Sequence, residues 1–454
     1  AAANPEASYS LNTAVVERGN NDSLKFEVPS REWFDLTDRS GRFGVSVLED
    51  CRYGSDKPDD NTLRLTLMYT PEANVPRFTY QATQDFGIHD VKYALYGHEG
   101  GWDNGTPWQA KFLNQPLLTF ATERHDGDRG RRIALAVPST EQIDIMAFKK
   151  MEESPYYVVR VNELFGKACD GATIEFPSAV AEAFEVDGQE RRIGKATVRN
   201  GKLTFDIGKF GIRSFAVRFA DTSAPAKPVQ EQLLLAYDAD ILSDDAARSD
   251  GRMGRSEQTL PAEMLPDTIT SEGIDFAIRG REKGADNAVE CRGQQIALPA
   301  GDYDRIYLLA AAEEEAAGCF EMDGAEQWLD IAKWKGFVGQ HYAQTIVPDS
   351  TAYKTLAVDN PYLRKDPIAW FASHCHAPKR NIAYQYCYLY KYGLDIVPGA
   401  KTLTLPDNPC IKIVAVTVAK EGVRTVPLTP LYDDFDDYPV FRWRNRPKFD
   451  LSHR

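Results

Sequence analysis

Asn200-Gly201-Lys202-Leu203-Thr204-Phe205-Asp206-Ile207 is the stretch from which the fold can be read. Leu203, Phe205 and Ile207 alternate with Lys202, Thr204 and Asp206, so one side of an extended chain is apolar and the other polar. A period of two is the mark of a half-buried strand. Asn200-Gly201, just before it, is the dipeptide favoured in tight hairpins, whose two central residues need positive φ. The pattern recurs on either side. It is found at Phe215, Val217 and Phe219, at Ile133, Leu135 and Val137, at Val91, Tyr93 and Leu95, and at Leu63, Leu65, Leu67 and Tyr69. Each run is short and bounded by Gly, Pro, Asn or Asp, which predicts antiparallel strands. Sustained helical periodicity is scarce, Glu326 to Trp334 being the best short helix. The expected fold class is mainly β.

The chain has 454 residues, 43% hydrophobic and 26% charged, the balance of a folded globular protein. That length predicts about two or three domains. Asp221-Thr-Ser-Ala-Pro-Ala-Lys-Pro228 cannot continue a sheet and reads as a linker. It sets expected domains at 1–222 and 229–420. Ser243 to Glu257 reads as a loop, strands end near Lys420, and 421–454 is expected to be a C-terminal strap. A net charge of -14 argues against gripping nucleic acid. No run reaches the ~18 apolar residues that span a bilayer, so no membrane partner is expected. The chain opens Ala1-Ala2-Ala3-Asn4-Pro5, which reads as a processed, cut or engineered start. Its seven cysteines contain no C-x-x-C pair, and the odd count leaves at least one thiol unpaired.

No phosphate-binding glycine loop, H-E-x-x-H helix or G-x-S-x-G elbow occurs. His374 and His376 lie in Ile368-Ala-Trp-Phe-Ala-Ser-His-Cys-His376 and share a strand face with Ile368 and Trp370. Two imidazoles at that spacing can ligate a metal, but zinc needs a third or fourth ligand and none is near in sequence. A locally hydrogen-bonded polar patch is the favoured reading, with metal or sugar contact as alternatives. Tyr384, Tyr386, Tyr388, Tyr390 and Tyr392 would present their rings on one strand face. Sugars stack on such faces, yet Ile382, Leu394 and Ile396 continue the same side, which favours core packing. Asp433-Asp-Phe-Asp-Asp437 offers hard oxygen ligands for calcium but lacks the EF-hand glycine and glutamate, so a solvated tail is favoured. From the residues alone, no pair of catalytic carboxylates can be nominated.

A set of ordered motifs goes further. Phe26-Glu-Val-Pro-Ser-Arg-Glu-Trp-Phe-Asp-Leu36 is followed by Arg42-Phe-Gly-Val-Ser-Val-Leu-Glu-Asp-Cys-Arg-Tyr-Gly54 and Leu63-Arg-Leu-Thr-Leu67. Then come Asp85-Phe-Gly-Ile-His-Asp-Val-Lys-Tyr-Ala-Leu-Tyr-Gly-His-Glu-Gly-Gly-Trp102, Val158-Val-Arg-Val-Asn-Glu163 and Phe210-Gly-Ile-Arg-Ser-Phe215. This series resembles the C-terminal half of glycoside hydrolase family 38 α-mannosidases over residues 9 to 220. Asn287 to Gln294, Leu298 to Gly301, Tyr307 to Ala312, Trp334 to Gln340 and Asp366 to His376 resemble an accessory β-sandwich of bacterial members, similar to galactose-binding-like jelly rolls.

The resemblance implies part of a large antiparallel β-sandwich followed by a jelly roll. It also implies a retaining, zinc-dependent hydrolase of α-mannosides. In that family the aspartate nucleophile and the zinc ligands sit in an upstream barrel that nothing in this sequence matches. No catalytic or metal-ligating residue is therefore assigned here, and this chain alone is expected to be inactive. Its expected partners are an α-mannose-containing glycan and the missing N-terminal catalytic half, with self-association possible. Calcium in the jelly roll has no motif behind it. Asp38-Arg-Ser-Gly-Arg-Phe-Gly44 loosely resembles a family loop that brings an arginine to substrate, which nominates Arg42; a turn arginine between strands is the alternative. Asp50, Cys51 and Tyr53 match a family loop motif with Glu49 in place of the usual asparagine, so Asp50 and Tyr53 join Arg42, His374 and His376 as candidate substrate-binding residues. His89 and His98 also match family positions and are expected to hydrogen-bond structurally. A non-catalytic glycan-binding or scaffolding protein is the rival reading. The accessory module points to a periplasmic or secreted location, whereas the odd thiol and cytosolic relatives point to the cytoplasm.

Overall fold

The computed structural model describes residues 2–69, 89–125, 130–152, 154–221, 227–340, 343–348, 353–359, 362–421 and 425–432. The Asp433–Asp437 cluster and most of the expected strap lie outside them. The chain divides into two compact units. One comprises 1–118 and 126–224, the other 119–125 and 225–454. Both are built of antiparallel sheets, as the alternation predicts, apart from the short parallel pair Leu242–Ser243 and Leu260–Pro261.

In the first unit, strands Glu6–Ser10, Val15–Gly19, Trp33–Thr37, Phe43–Glu49 and Tyr93–Glu99 form one sheet, with Tyr93–Glu99 at its edge. A smaller sheet of Val28–Pro29, Gly54–Asp59 and Thr62–Leu65 covers part of one face, where Tyr9, Phe34 and Leu36 meet Val28, Leu63 and Leu65. The expected Leu63–Tyr69 strand stops at Leu65, and Leu67, Met68 and Tyr69 are exposed. On the opposite face sits a helix, Thr106–Asn114, that the apolar periodicity does not announce. Its start has a local signal, a proline in the first turn after left-handed Gly105. Ala110 packs under Trp33 and Leu48.

The remainder of this unit is a two-layer sandwich. Ile143–Lys150, Tyr157–Glu163, Val180–Val186, Arg192–Lys195 and Ile212–Phe219 make one layer. Val137–Pro138, Cys169–Glu175, Thr197–Arg199 and Lys202–Ile207 make the other. Leu203, Phe205 and Ile207 are buried against Phe215 and Val217, and Asn200 and Gly201 take the positive φ that the hairpin requires. Of the expected Ile133–Val137 strand only Val137 is in a strand, and Ile133 and Leu135 are exposed.

The second unit sets a six-stranded sheet against a four-stranded one. Ile411–Lys420 runs through the larger sheet and is buried along nearly all its length, since it carries core on both faces. The expected helix at Glu326–Trp334 is instead the strand Ala325–Ile331, hairpinned to Ala316–Met322 through Asp323-Gly324. Both turn residues have positive φ, and this turn chemistry outweighs the helix-forming Glu and Gln beside it. Thr425–Pro427, at the start of the expected strap, pairs with Phe120–Thr122.

Candidate functional sites

Arg42 lies in the turn between Trp33–Thr37 and Phe43–Glu49. Asp38 shapes that turn by accepting from the backbone N–H of Arg42 (2.6 Å) and of Phe43 (3.1 Å). The Ser40 hydroxyl and these amides hold the Asp38 carboxyl down to about 2. The exposed Arg42 side chain donates from Nε to Ser40 Oγ at 2.9 Å. Asp50 follows the other end of the same strand, so Arg42 and Asp50 are separated by roughly 27 Å of extended chain. Tyr53 is on the Asp50 side, exposed, with the Arg31 guanidinium 5.0 Å from its ring centre. No single sugar ring can contact both Arg42 and the Asp50–Tyr53 loop. A recess of ≈ 260 Å³ in the same unit is walled by Trp33, Lys111, Asp144 and Phe210, among others, and by none of these three.

Between the two ends of that strand lies a polar network of which the sequence points only to His98. His98 Nε2 is 2.7 Å from Asp35 Oδ2. Ser46 Oγ donates to the same oxygen at 2.8 Å, and Ser46 and Thr106 hydroxyls meet at 2.7 Å, joining the helix to the sheet. His98 thus has the structural role expected of it.

In the second unit, His374 and His376 sit on strand Ile368–Ala377 with ring centres 5.4 Å apart. Backbone bonds between Thr259 and His376, in both directions, bring the Leu260–Pro261 strand and the turn Ala262–Met264 alongside. Trp370 Nε1 donates to the carbonyl of Met264 (3.2 Å), so Trp370 and both imidazoles face this turn, as the alternation predicts. From it Glu263 reaches both rings, with Oε1 3.1 Å from His376 Nε2 and 3.4 Å from His374 Nε2. This third donor lies 113 residues before His376, which is why sequence spacing did not reveal it. Ser243 Oγ holds His376 Nδ1 at 2.9 Å and meets the Thr259 hydroxyl. Asp245 Oδ1 is 3.6 Å from His376 Nε2, and the Asn381 amide and Arg248 guanidinium keep its carboxyl below the usual range. Glu263, His374 and His376 are the carboxylate and imidazole group that could hold a metal ion among the described residues.

The tyrosine run divides. Tyr388, Tyr390 and Tyr392 are buried, and their hydroxyls donate to Gly336 O, Lys333 O and Asp366 Oδ1. Burial pushes Tyr390 up to about 12. Tyr384 takes positive φ and is exposed, so the five rings do not form one platform. All seven cysteines are free.

Residues 1–77 match the family described as glycosyl hydrolases family 38 C-terminal domain, and 142–215 match its C-terminal beta sandwich domain. Residues 229–422 match the AziU2-like beta-sandwich domain. The chain is 28% identical over 221 residues to human alpha-mannosidase 2C1, covering 46% of this chain and 20% of that protein. It is 34% identical over 108 residues to the alpha-mannosidase of Saccharomyces cerevisiae, covering 23% and 9%. An alpha-mannosidase structure from Enterococcus faecalis V583 aligns at 18% identity and a TM-score of 0.39, over 48% of this chain and 24% of that one. The first unit thus falls among the C-terminal β domains of glycoside hydrolases. More particularly, the chain carries the C-terminal domains of a family 38 α-mannosidase, joined to an extra AziU2-like β-sandwich domain. It spans about a fifth of the length of the curated relatives it matches.

Proposed function

We propose that this chain is the C-terminal portion of a zinc-dependent, retaining α-mannosidase and completes the substrate cleft of a catalytic domain outside it. The observation that carries this reading is an apolar sheet face with no cover among the described residues. Phe43, Val45, Tyr93 and Leu95 lie on neighbouring strands, all 43% or more exposed. The three-stranded sheet covers Phe34 and Leu36 on that side but stops short of these four. Burying what remains exposed of each would contribute about 0.7–2 kcal/mol, which is what a docked domain gains and an isolated one forgoes. The nucleophile and catalytic zinc ligands belong to the upstream domain, and Arg42 would contribute a hydrogen bond to a sugar from this side. The AziU2-like sandwich is read as a galactose-binding-like jelly roll, and the enzyme as periplasmic or secreted. The interface is tested by association of this chain with the separately produced upstream half. Leu95→Lys should abolish association while leaving this chain folded. Unchanged association by that variant and by Val45→Lys would reject the face as the interface.

A further inference from the structure

Glu263, His374 and His376 converge on one point of the AziU2-like unit, and the hydrogen bonding there is incomplete. His376 is fully buried and has a partner on each ring nitrogen, Ser243 on Nδ1 and Glu263 on Nε2. His374 Nε2 is also buried, yet makes no hydrogen bond among the described residues, although Glu263 Oε1 is 3.4 Å away. One carboxylate oxygen is therefore faced by two imidazole nitrogens and satisfies one.

We propose that these three side chains bind a divalent first-row transition-metal ion of the zinc class. A tetrahedral ion with bonds of about 2.0–2.1 Å sets its donors about 3.3–3.4 Å apart. Glu263 Oε1 stands 3.1 and 3.4 Å from the two Nε2 atoms, so two of the three donor separations already suit an ion, and all three ligand atoms lie within 4.8 Å of one another. Two imidazoles and a carboxylate suit such ions better than magnesium or calcium, which prefer oxygen alone. The outer partners are in place as well. The Ser243 hydroxyl at His376 Nδ1 fixes the ring, as metal-bound histidines require of their second nitrogen. Glu263 itself is partly exposed and borders an open recess of ≈ 530 Å³. The strand that carries His374 and His376 and the distant turn that carries Glu263 would thereby be clipped together, and the inference does not depend on the mannosidase reading.

The test is zinc binding by the full chain after stripping with EDTA and removing the chelator, read by calorimetry and by thermal melting. The wild type should take up one zinc ion per chain at this site and melt higher with zinc present. Glu263→Gln and His374→Ala should each weaken binding by more than about 100-fold and lose the zinc-dependent rise in melting temperature. Both side chains are partly exposed, so both variants should melt like the wild type in EDTA. Should either fail to fold, Ser243→Ala, which removes only the outer hydroxyl, should weaken binding about 10-fold. No binding by the wild type would overturn the proposal. So would equal binding by the variants, which would put the metal on the free thiols.

Discussion

His98 Nε2 and Asp35 Oδ2 lie 2.7 Å apart with both side chains fully buried, and the pair joins the edge strand of the first sheet to a more central one. Burial alone would lower the imidazole pKa, but the hydrogen bond and charge of Asp35 more than offset it, and the net shift is upward. A histidine whose folded pKa is raised adds stability in full below its unfolded value near 6.5. That contribution fades as pH rises through the folded value. His98→Gln should therefore cost about 3 kcal/mol at pH 6 and distinctly less at pH 9, measured by urea denaturation at both.

Gly44 faces His98 across the two strands. A Cβ there would stand 2.9 Å from Thr37 Oγ1 and closer still to the imidazole, which the Asp35 bond prevents from moving away. Gly44→Ala should destabilise by about 1–3 kcal/mol in the same denaturation measurement. Full stability in that variant would mean the histidine is not held.

Glu49 stands where the family motif has asparagine. Burial pushes its carboxyl up to about 7, against the pull of the Ser30 hydroxyl, and Oε2 has no hydrogen-bond partner among the described residues. The sign follows from proton binding. Below the ordinary value of 4.5 both states are protonated and nothing is lost. As pH rises towards 7, only the unfolded state ionises freely, and stability falls. Glu49→Gln should raise stability at pH 8 by about 1–2 kcal/mol, allowing for solvent screening, and change little at pH 4. Melting curves at the two pH values decide it.

Arg42 is exposed, and its one side-chain bond among the described residues lies within its own turn. Arg42→Ala should shift stability by no more than about 0.5 kcal/mol. In the assembled enzyme it should lower kcat/KM by roughly 10-fold, the loss of one hydrogen bond in the transition state. Unchanged kinetics would leave it as a turn residue only.

Where side-chain alternation and turn chemistry agree, the sequence is a good guide, as at Asn200 to Ile207. Alternation does not say which side is covered. Tyr93 and Leu95 read as an inward face, but Ala94, Tyr96 and His98 are the residues that turn towards the helix. The residues expected as a helix at Glu326–Trp334 favour that conformation locally, but the pairing of Ala325–Ile331 with Ala316–Met322 across Asp323-Gly324 makes them a strand. The His374–His376 pair was visible as a pattern. Its completion by Glu263 depends on a strand crossing between distant segments, which no local spacing records.

Whether this chain completes an α-mannosidase is decided by hydrolysis of p-nitrophenyl α-mannoside. The chain is assayed with zinc alone and mixed with the separately produced upstream half. The chain alone should show no hydrolysis, and the mixture should show activity well above that of the upstream half alone. Hydrolysis by the chain alone, or no gain on mixing, would contradict the completing role.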